Sequence, residues 1–156
     1  MSRESIVQEL DESRAEHVAL LTTVSPDAVV YADSGWLVKD IVAHITHWEL
    51  QSLLTVEHSL RGERYFIPNF RELGIDGWNA RDYELHREDT TDQIMENFTQ
   101  MRQSMKTLVL SMTDDQWEQT LKWFGNEVTT ERMLQGILWH EKHHISEIAA
   151  LVSVMT

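Results

Sequence analysis

Four long stretches of this chain repeat their apolar residues at a helical interval, and that recurrence constrains the fold more than any other feature. In the first, from Arg3 to about Thr23, Ile6, Leu10, Leu21 and Val24 share a face with Val7 and Val18, and Ser2 stands where a cap belongs. Ser25, Pro26 and Asp27 break this segment, and Asp33, Ser34 and Gly35 open the next. From Trp36 to Leu60, residues Leu37, Ile41, Ile45, Trp48, Ser52 and Val56 form one stripe, with His44 at its margin. The third stretch, about Thr91 to Met112, turns Ile94, Phe98, Met101, Met105, Leu108 and Met112 inward, its methionines reading as adaptable core filler. The last starts at a cap on Thr129 or Thr130 and directs Leu134, Ile137, Leu138, Ile145, Ile148 and Val152 to the core.

The segments between these helices are less regular. Gly62 to Gly77, with Pro68 and Gly74, reads as a long connection of the kind that shapes binding sites, and Asp76 to Arg81 opens a short helix reaching His86. Thr113 to Trp117 reads as a capped single turn, followed by an irregular link through Gly125 and Asn126. Strand signals are few, and there is no repeat, low-complexity tract or linker. The expected fold is all-α, a four-helix bundle with long connections and a short extra helix, forming a single domain over residues 1–156.

Composition narrows the function. The formal net charge of -13 argues against a nucleic acid or an anionic membrane surface as partner, since both are met by clustered Lys and Arg. No apolar run is long enough to span a bilayer, and Met1 to Ser5 lacks the layout of a signal peptide, so a cytoplasmic protein is expected. The absence of cysteine excludes a cysteine nucleophile, a thiolate metal site and an internal redox pair.

Chemistry then falls to histidine. His140 and His144 are one helical turn apart in Trp139 His140 Glu141 Lys142 His143 His144 Ile145, so both project from one face and can share a metal ion. Counting about 100° per residue, His144 lies within the apolar arc and His140 at its edge, whereas His143 points outward. A catalytic zinc-type site wants three protein ligands and an open position, and His44, at the same edge position on its own helix, is the candidate third. For any one of these histidines a metal-free place at the core edge is the simpler reading; three converging in a bundle, two at ligand spacing, favour a metal. His17 reads as a core-edge histidine bonded to a neighbour. His47, His58 and Asp40 read as solvated or paired surface groups.

Two other metal readings fit less well. The run from His140 to His144 matches the H-E-x-x-H pattern of zinc proteases with Glu141 as base, but residues 145–156 offer only Glu147 as a further ligand. A di-iron bundle needs two Glu-x-x-His motifs, and Glu141 with His144 has no counterpart. Glu141 falls in the middle of the inward arc, where an unpaired carboxylate is costly. It is the candidate catalytic residue as a proton acceptor, with three alternatives open: orienting a histidine, pairing with a buried arginine, or reaching solvent through a slight rotation of the helix.

Gly35 and Trp36, followed by His44 within Ala43 His44 Ile45 Thr46 His47 Trp48 Glu49, together with the last-helix pair His140 and His144, resemble the DinB/YfiT-like superfamily. The resemblance implies a four-helix bundle holding a divalent metal, often zinc or nickel, on His44, His140 and His144, and commonly a homodimer. It also implies metal-dependent hydrolysis, or thiol S-transfer with bacillithiol, mycothiol or glutathione, as in the related mycothiol-dependent maleylpyruvate isomerase. Phe70 to Asp82, with Trp78 and Asn79, is similar to the ClbS/DfsB-like branch, associated with protection against reactive toxins. Glu147 departs from relatives that carry another His there.

The expected function is therefore a metal-dependent enzyme acting on a small electrophilic molecule, by hydrolysis or by transfer of an external low-molecular-weight thiol. The expected cleft is lined by Trp36, Trp48 and Trp78. The alternatives are a protein that binds and sequesters a small molecule without turnover, and a purely structural dimer.

Overall fold

The computed structural model describes residues 1–155, with side chains placed for 1–153. Four long helices carry the expected apolar stripes: α1 (Arg3–Leu21), α2 (Val38–Leu60), α4 (Thr91–Ser111) and α6 (Thr130–Met155), with α3 (Phe70–His86) and α5 (Asp114–Glu118) between them. Their starts follow local chemistry. Ser2 Oγ accepts from Ser5 N–H, the Thr90/Gln93 and Thr113/Gln116 pairs form capping boxes, and Thr129 Oγ1 accepts from Arg132 N–H. Both α1 and α2 pack against α4 and α6, so α1 and α2 stand at opposite corners of the bundle although they are consecutive in sequence.

Two hairpins depart from the expected irregular links. β1 (Val29–Tyr31) pairs antiparallel with β2 (Trp36–Leu37), so α2 begins two residues later than the stripe suggested. β3 (Thr120–Trp123) pairs with β4 (Asn126–Thr129) around Phe124 and Gly125, whose φ values of 50° and 81° give the twist that a two-residue hairpin needs. Strands this short bury too few side chains to leave a periodic signal: along β3 only Leu121 is buried. The long connection is also shorter than expected. α3 starts at Phe70 and passes through a break at Gly74, where φ is 68°.

The core is layered along the bundle. One apolar cluster holds Ile41, Ile45, Ile94, Phe98, Ile145 and Ile148; another holds Ile6, Leu10, Leu53, Met105, Leu134 and Leu138. On every long helix a charged residue falls between the two: Arg14, Glu49, Arg102 and Glu141, all buried. Arg14 donates to Glu49 Oε2 (2.7 Å) and to both oxygens of Glu141 (3.0 and 3.1 Å). Arg102 donates to Glu49 Oε1 (2.6 Å), to Glu141 Oε2 and to the Leu10 carbonyl (2.6 Å). The guanidinium of Arg14 also lies 3.6 Å from the centre of the Phe98 ring. Two cations and two anions close this layer with charge balance.

Candidate metal centre

The helices deliver three imidazoles to one point. His44 Nε2 lies 3.2 Å from His140 Nε2, and one nitrogen from each of His44, His140 and His144 falls within 4.8 Å of the others. Ring centroids are 5.0 Å apart for His44 and His140, 4.9 Å for His44 and His144, and 4.6 Å for His140 and His144. Ligand nitrogens each about 2.0–2.1 Å from a tetrahedral ion stand roughly 3.3 Å apart, so the donor set fits a divalent metal.

The protonation states fit as well. Burial, reinforced by His140, His144 and His47, lowers the His44 pKa to about 3, and burial with His144 and His143 lowers that of His140 to about 4. Burial also lowers His144, against the opposing effect of Glu147. Three rings held neutral near pH 7 keep a lone pair each for a metal.

An outer layer orients one ligand. His144 Nδ1–H donates to Glu147 Oε1 (2.8 Å), and the Tyr31 hydroxyl, carried over α6 by β1, donates to the same oxygen (2.7 Å). With Nδ1 engaged, Nε2 of His144 is the nitrogen left for a metal. The Tyr31 hydroxyl is accordingly held protonated, its pKa raised by burial and by Glu147. Neither residue was singled out for this part in the sequence. The i, i+3 spacing of His144 and Glu147 carried the signal for one of them, whereas Tyr31 lies 113 residues away from the histidine it serves.

Beside the triad lies a cavity of about 420 Å³, within the size range of small-molecule sites. Trp48, Ile75, Trp123, Phe124, Ile137 and Trp139 supply its apolar lining, with Asn79, Gly136 and His143 among the remaining groups. The β3–β4 hairpin brings Trp123 and Phe124 here, two residues absent from the sequence-based site. Among the described residues of the lining there is no Lys or Arg.

Three expectations require correction. Glu141 is not placed to exchange protons in the cavity. It is fully buried, and Arg14, Arg102 and His17 (Nδ1 2.6 Å away) occupy its oxygens. Burial would raise its pKa, but the His17 hydrogen bond and the two guanidiniums hold it below the usual carboxylate range. Trp36 does not line this cavity: it packs edge-on against His44 at 5.6 Å and stacks on Tyr83 at 5.2 Å. Trp78 is buried behind Trp48, 4.5 Å between ring centroids, leaving Trp48 at the surface of the cavity with its indole N–H on Asn79 Oδ1 (2.9 Å). Elsewhere His143 is exposed and stacks on Trp139 at 5.3 Å, and His17 is the bonded core-edge histidine expected.

Residues 9–148 match the model of a family described as the DinB superfamily. The chain is 24% identical over 150 residues to a protein of Bacillus subtilis (strain 168) named "Putative metal-dependent hydrolase YfiT", a match spanning 94% of this chain and 80% of that one. It is similar in structure to YfiT from Bacillus subtilis, whose four-helix bundle topology is described as unusual, with a TM-score of 0.75 at 19% identity over 98% of this chain and 87% of that one. An uncharacterised protein from Escherichia coli UTI89 matches with a TM-score of 0.74 at 14% identity, over 96% of this chain and 91% of that one.

Proposed function

The chain belongs to the DinB superfamily, and on that premise we propose that it is a metal-dependent hydrolase of a small, uncharged, apolar electrophile. The observation that carries the reading is the convergence of three neutral imidazoles on the wall of an aromatic cavity without cationic side chains. When bound, a divalent ion of the zinc or nickel kind supplies Lewis acidity and lowers the pKa of a water or thiol at its open position.

The chain's own residues divide the remaining work. His44, His140 and His144 hold the ion as neutral donors, and Glu147 with Tyr31 keeps His144 in one tautomer. Trp48, Trp123, Phe124 and Trp139 exclude water and bind the apolar body of the substrate. Apart from the ligands, His143 is the titratable side chain in the lining, so it takes the part of proton carrier in place of Glu141.

Transfer of an external thiol uses the same open position. Glutathione and bacillithiol carry carboxylates, for which the lining offers no Lys or Arg partner, so the cavity disfavours those two; mycothiol is uncharged, and turnover with added thiol decides between it and water. Family resemblance supports a homodimer, checked by light scattering.

The test pairs metal analysis of untagged protein with turnover of uncharged aryl esters and lactones, with and without added thiol. Wild type should hold metal and hydrolyse without thiol; His44→Ala and His140→Ala should lose both properties. Turnover only with thiol would replace hydrolysis by transfer. Tight binding of apolar ligands with no reaction under either condition would replace both by sequestration.

A further inference from the structure

We propose a second divalent-cation site, independent of the triad, formed by His47, Asp82 and His86 where α3 packs on α2. Asp82 and His86 stand four residues apart on α3 and so share a face, and His47 meets them from α2. One nitrogen or oxygen from each lies within 4.8 Å of the others. Asp82 is central: its Oδ2 accepts a hydrogen bond from His47 Nδ1–H that an ion would replace, its Oδ1 lies 3.8 Å from His86 Nε2, and the two imidazole centroids are 4.2 Å apart.

The arrangement around His86 is the one a metal-bound histidine has with its outer partner. His86 Nδ1 lies 3.0 Å from Asp89 Oδ2, so that carboxylate takes the Nδ1 proton. In the neutral ring Nε2 then carries a lone pair, and it is this nitrogen that faces the oxygen of Asp82. Those two lone pairs are reconciled either by a proton on Nε2 or by a metal ion between them, and measured ion binding separates the two. A carboxylate fixing the far nitrogen of a metal-bound histidine is the usual outer-layer arrangement.

Room and access agree. The three residues border a recess of about 10 Å³, close to what one water-sized occupant needs, between the stacked pair Trp36 and Tyr83 and the start of α2. The side chains of His47 and Asp82 are 15% exposed and that of His86 is 40% exposed, so an ion can enter from solvent. Two imidazoles and one carboxylate, with water completing the shell, suit zinc and its first-row neighbours. A protein of net charge -13 concentrates such cations around itself. His44 borders the recess, but its Nε2 is turned to His140, so the two sites share no ligand atom.

The full-length chain, untagged and stripped with chelator, tests this by zinc stoichiometry after equilibration and desalting, with cobalt absorption as a second readout. The decisive background is His140→Ala/His144→Ala, which removes the triad. That protein should bind one equivalent, and adding His86→Ala or the conservative Asp82→Asn should reduce it to near zero while circular dichroism stays unchanged. Zero binding in the His140→Ala/His144→Ala protein, meaning that His86 is a proton-bearing partner of Asp82 and Asp89 and no ligand, overturns the proposal. So does binding that survives both added substitutions. Beside that background, wild-type stoichiometry reports the triad separately: where the background binds one equivalent, two in wild type mean that both sites bind and one that only the second does; where the background binds none, one in wild type belongs to the triad.

Discussion

Glu141 shows how a residue's surroundings decide its part. Its carboxylate joins Arg14, Arg102 and His17 with no exposed surface, so removing it leaves two guanidiniums facing Glu49 alone. Breaking a buried pair by deleting one partner costs about 3–5 kcal/mol. Glu141→Ala should lower the urea midpoint accordingly while the folded fraction still binds metal; full stability with lost turnover would return Glu141 to catalysis. Glu147 makes the opposite case. It holds His144 from outside the ligand shell, and loss of such a partner weakens metal affinity about 10–100-fold. Glu147→Gln should show that loss in a competition titration, with unfolding in the metal-free state nearly unchanged. The inward position of Glu141 was legible from the helical wheel. A buried arginine was among the partners the wheel left open for it, but which arginines was not legible, because Arg14 and Arg102 lie 127 and 39 residues away and arginine on a helix ordinarily marks a solvent face.

At the level of elements, the hairpin β3–β4 and helix α6 shape the cavity between them. Phe124 sits at φ 50°, a conformation that costs a β-unbranched aromatic some strain and that asparagine adopts readily. The Phe124 ring also packs on Trp48, Phe70 and Trp123, so in Phe124→Asn the lost contacts offset the relief of strain and stability should change by no more than about 1 kcal/mol. The same change should weaken an uncharged aromatic probe by about 0.5–1.5 kcal/mol, through the lost ring contact. Gly136 is helical and borders the cavity, and a methyl group added there meets nothing within 4 Å. Gly136→Ala should therefore stabilise α6 by about 0.5–1 kcal/mol in urea unfolding. Gly136→Leu should fill the cavity and reduce probe binding with metal content intact. The long helices were readable because their periodicity is local. The hairpins were not, since four-residue strands carry almost no pattern and their pairing with each other is decided by packing on α2 and α6.

For the whole molecule, the three-histidine cluster bridges α2 and α6 beside the charged layer, so a bound ion would clamp the two helices. In the metal-free protein His44 and His140 stay neutral down to about 3 and about 4, whereas in the unfolded chain they take protons near 6.5. The unfolded state therefore binds more protons over that interval, and stability falls as pH drops from about 6.5, by at most about 1.4 kcal/mol per pH unit for each group. Glu141 acts in the same direction at lower pH: its contribution is complete above the ordinary carboxylate value and is lost as pH falls through its depressed one. His44→Ala should flatten the slope of unfolding free energy between pH 6.5 and 4; an unchanged slope would contradict the neutral triad. Saturating metal should offset acid loss in wild type only, a thousandfold excess over Kd contributing about 4 kcal/mol.

The amino-acid sequence by itself determined which segments are helical and which faces they bury, because both follow from a repeat within each segment. It determined too that His140 and His144 share a face, since one turn of helix fixes that. The approach of His44 to that pair, the Arg and Glu residues that close the charged layer, and the arrival of Tyr31 and Phe124 from the hairpins were decided by tertiary structure alone. Each joins groups from different elements, and only the packing of α1, α2, α4 and α6 around one core sets which residues stand at the same height.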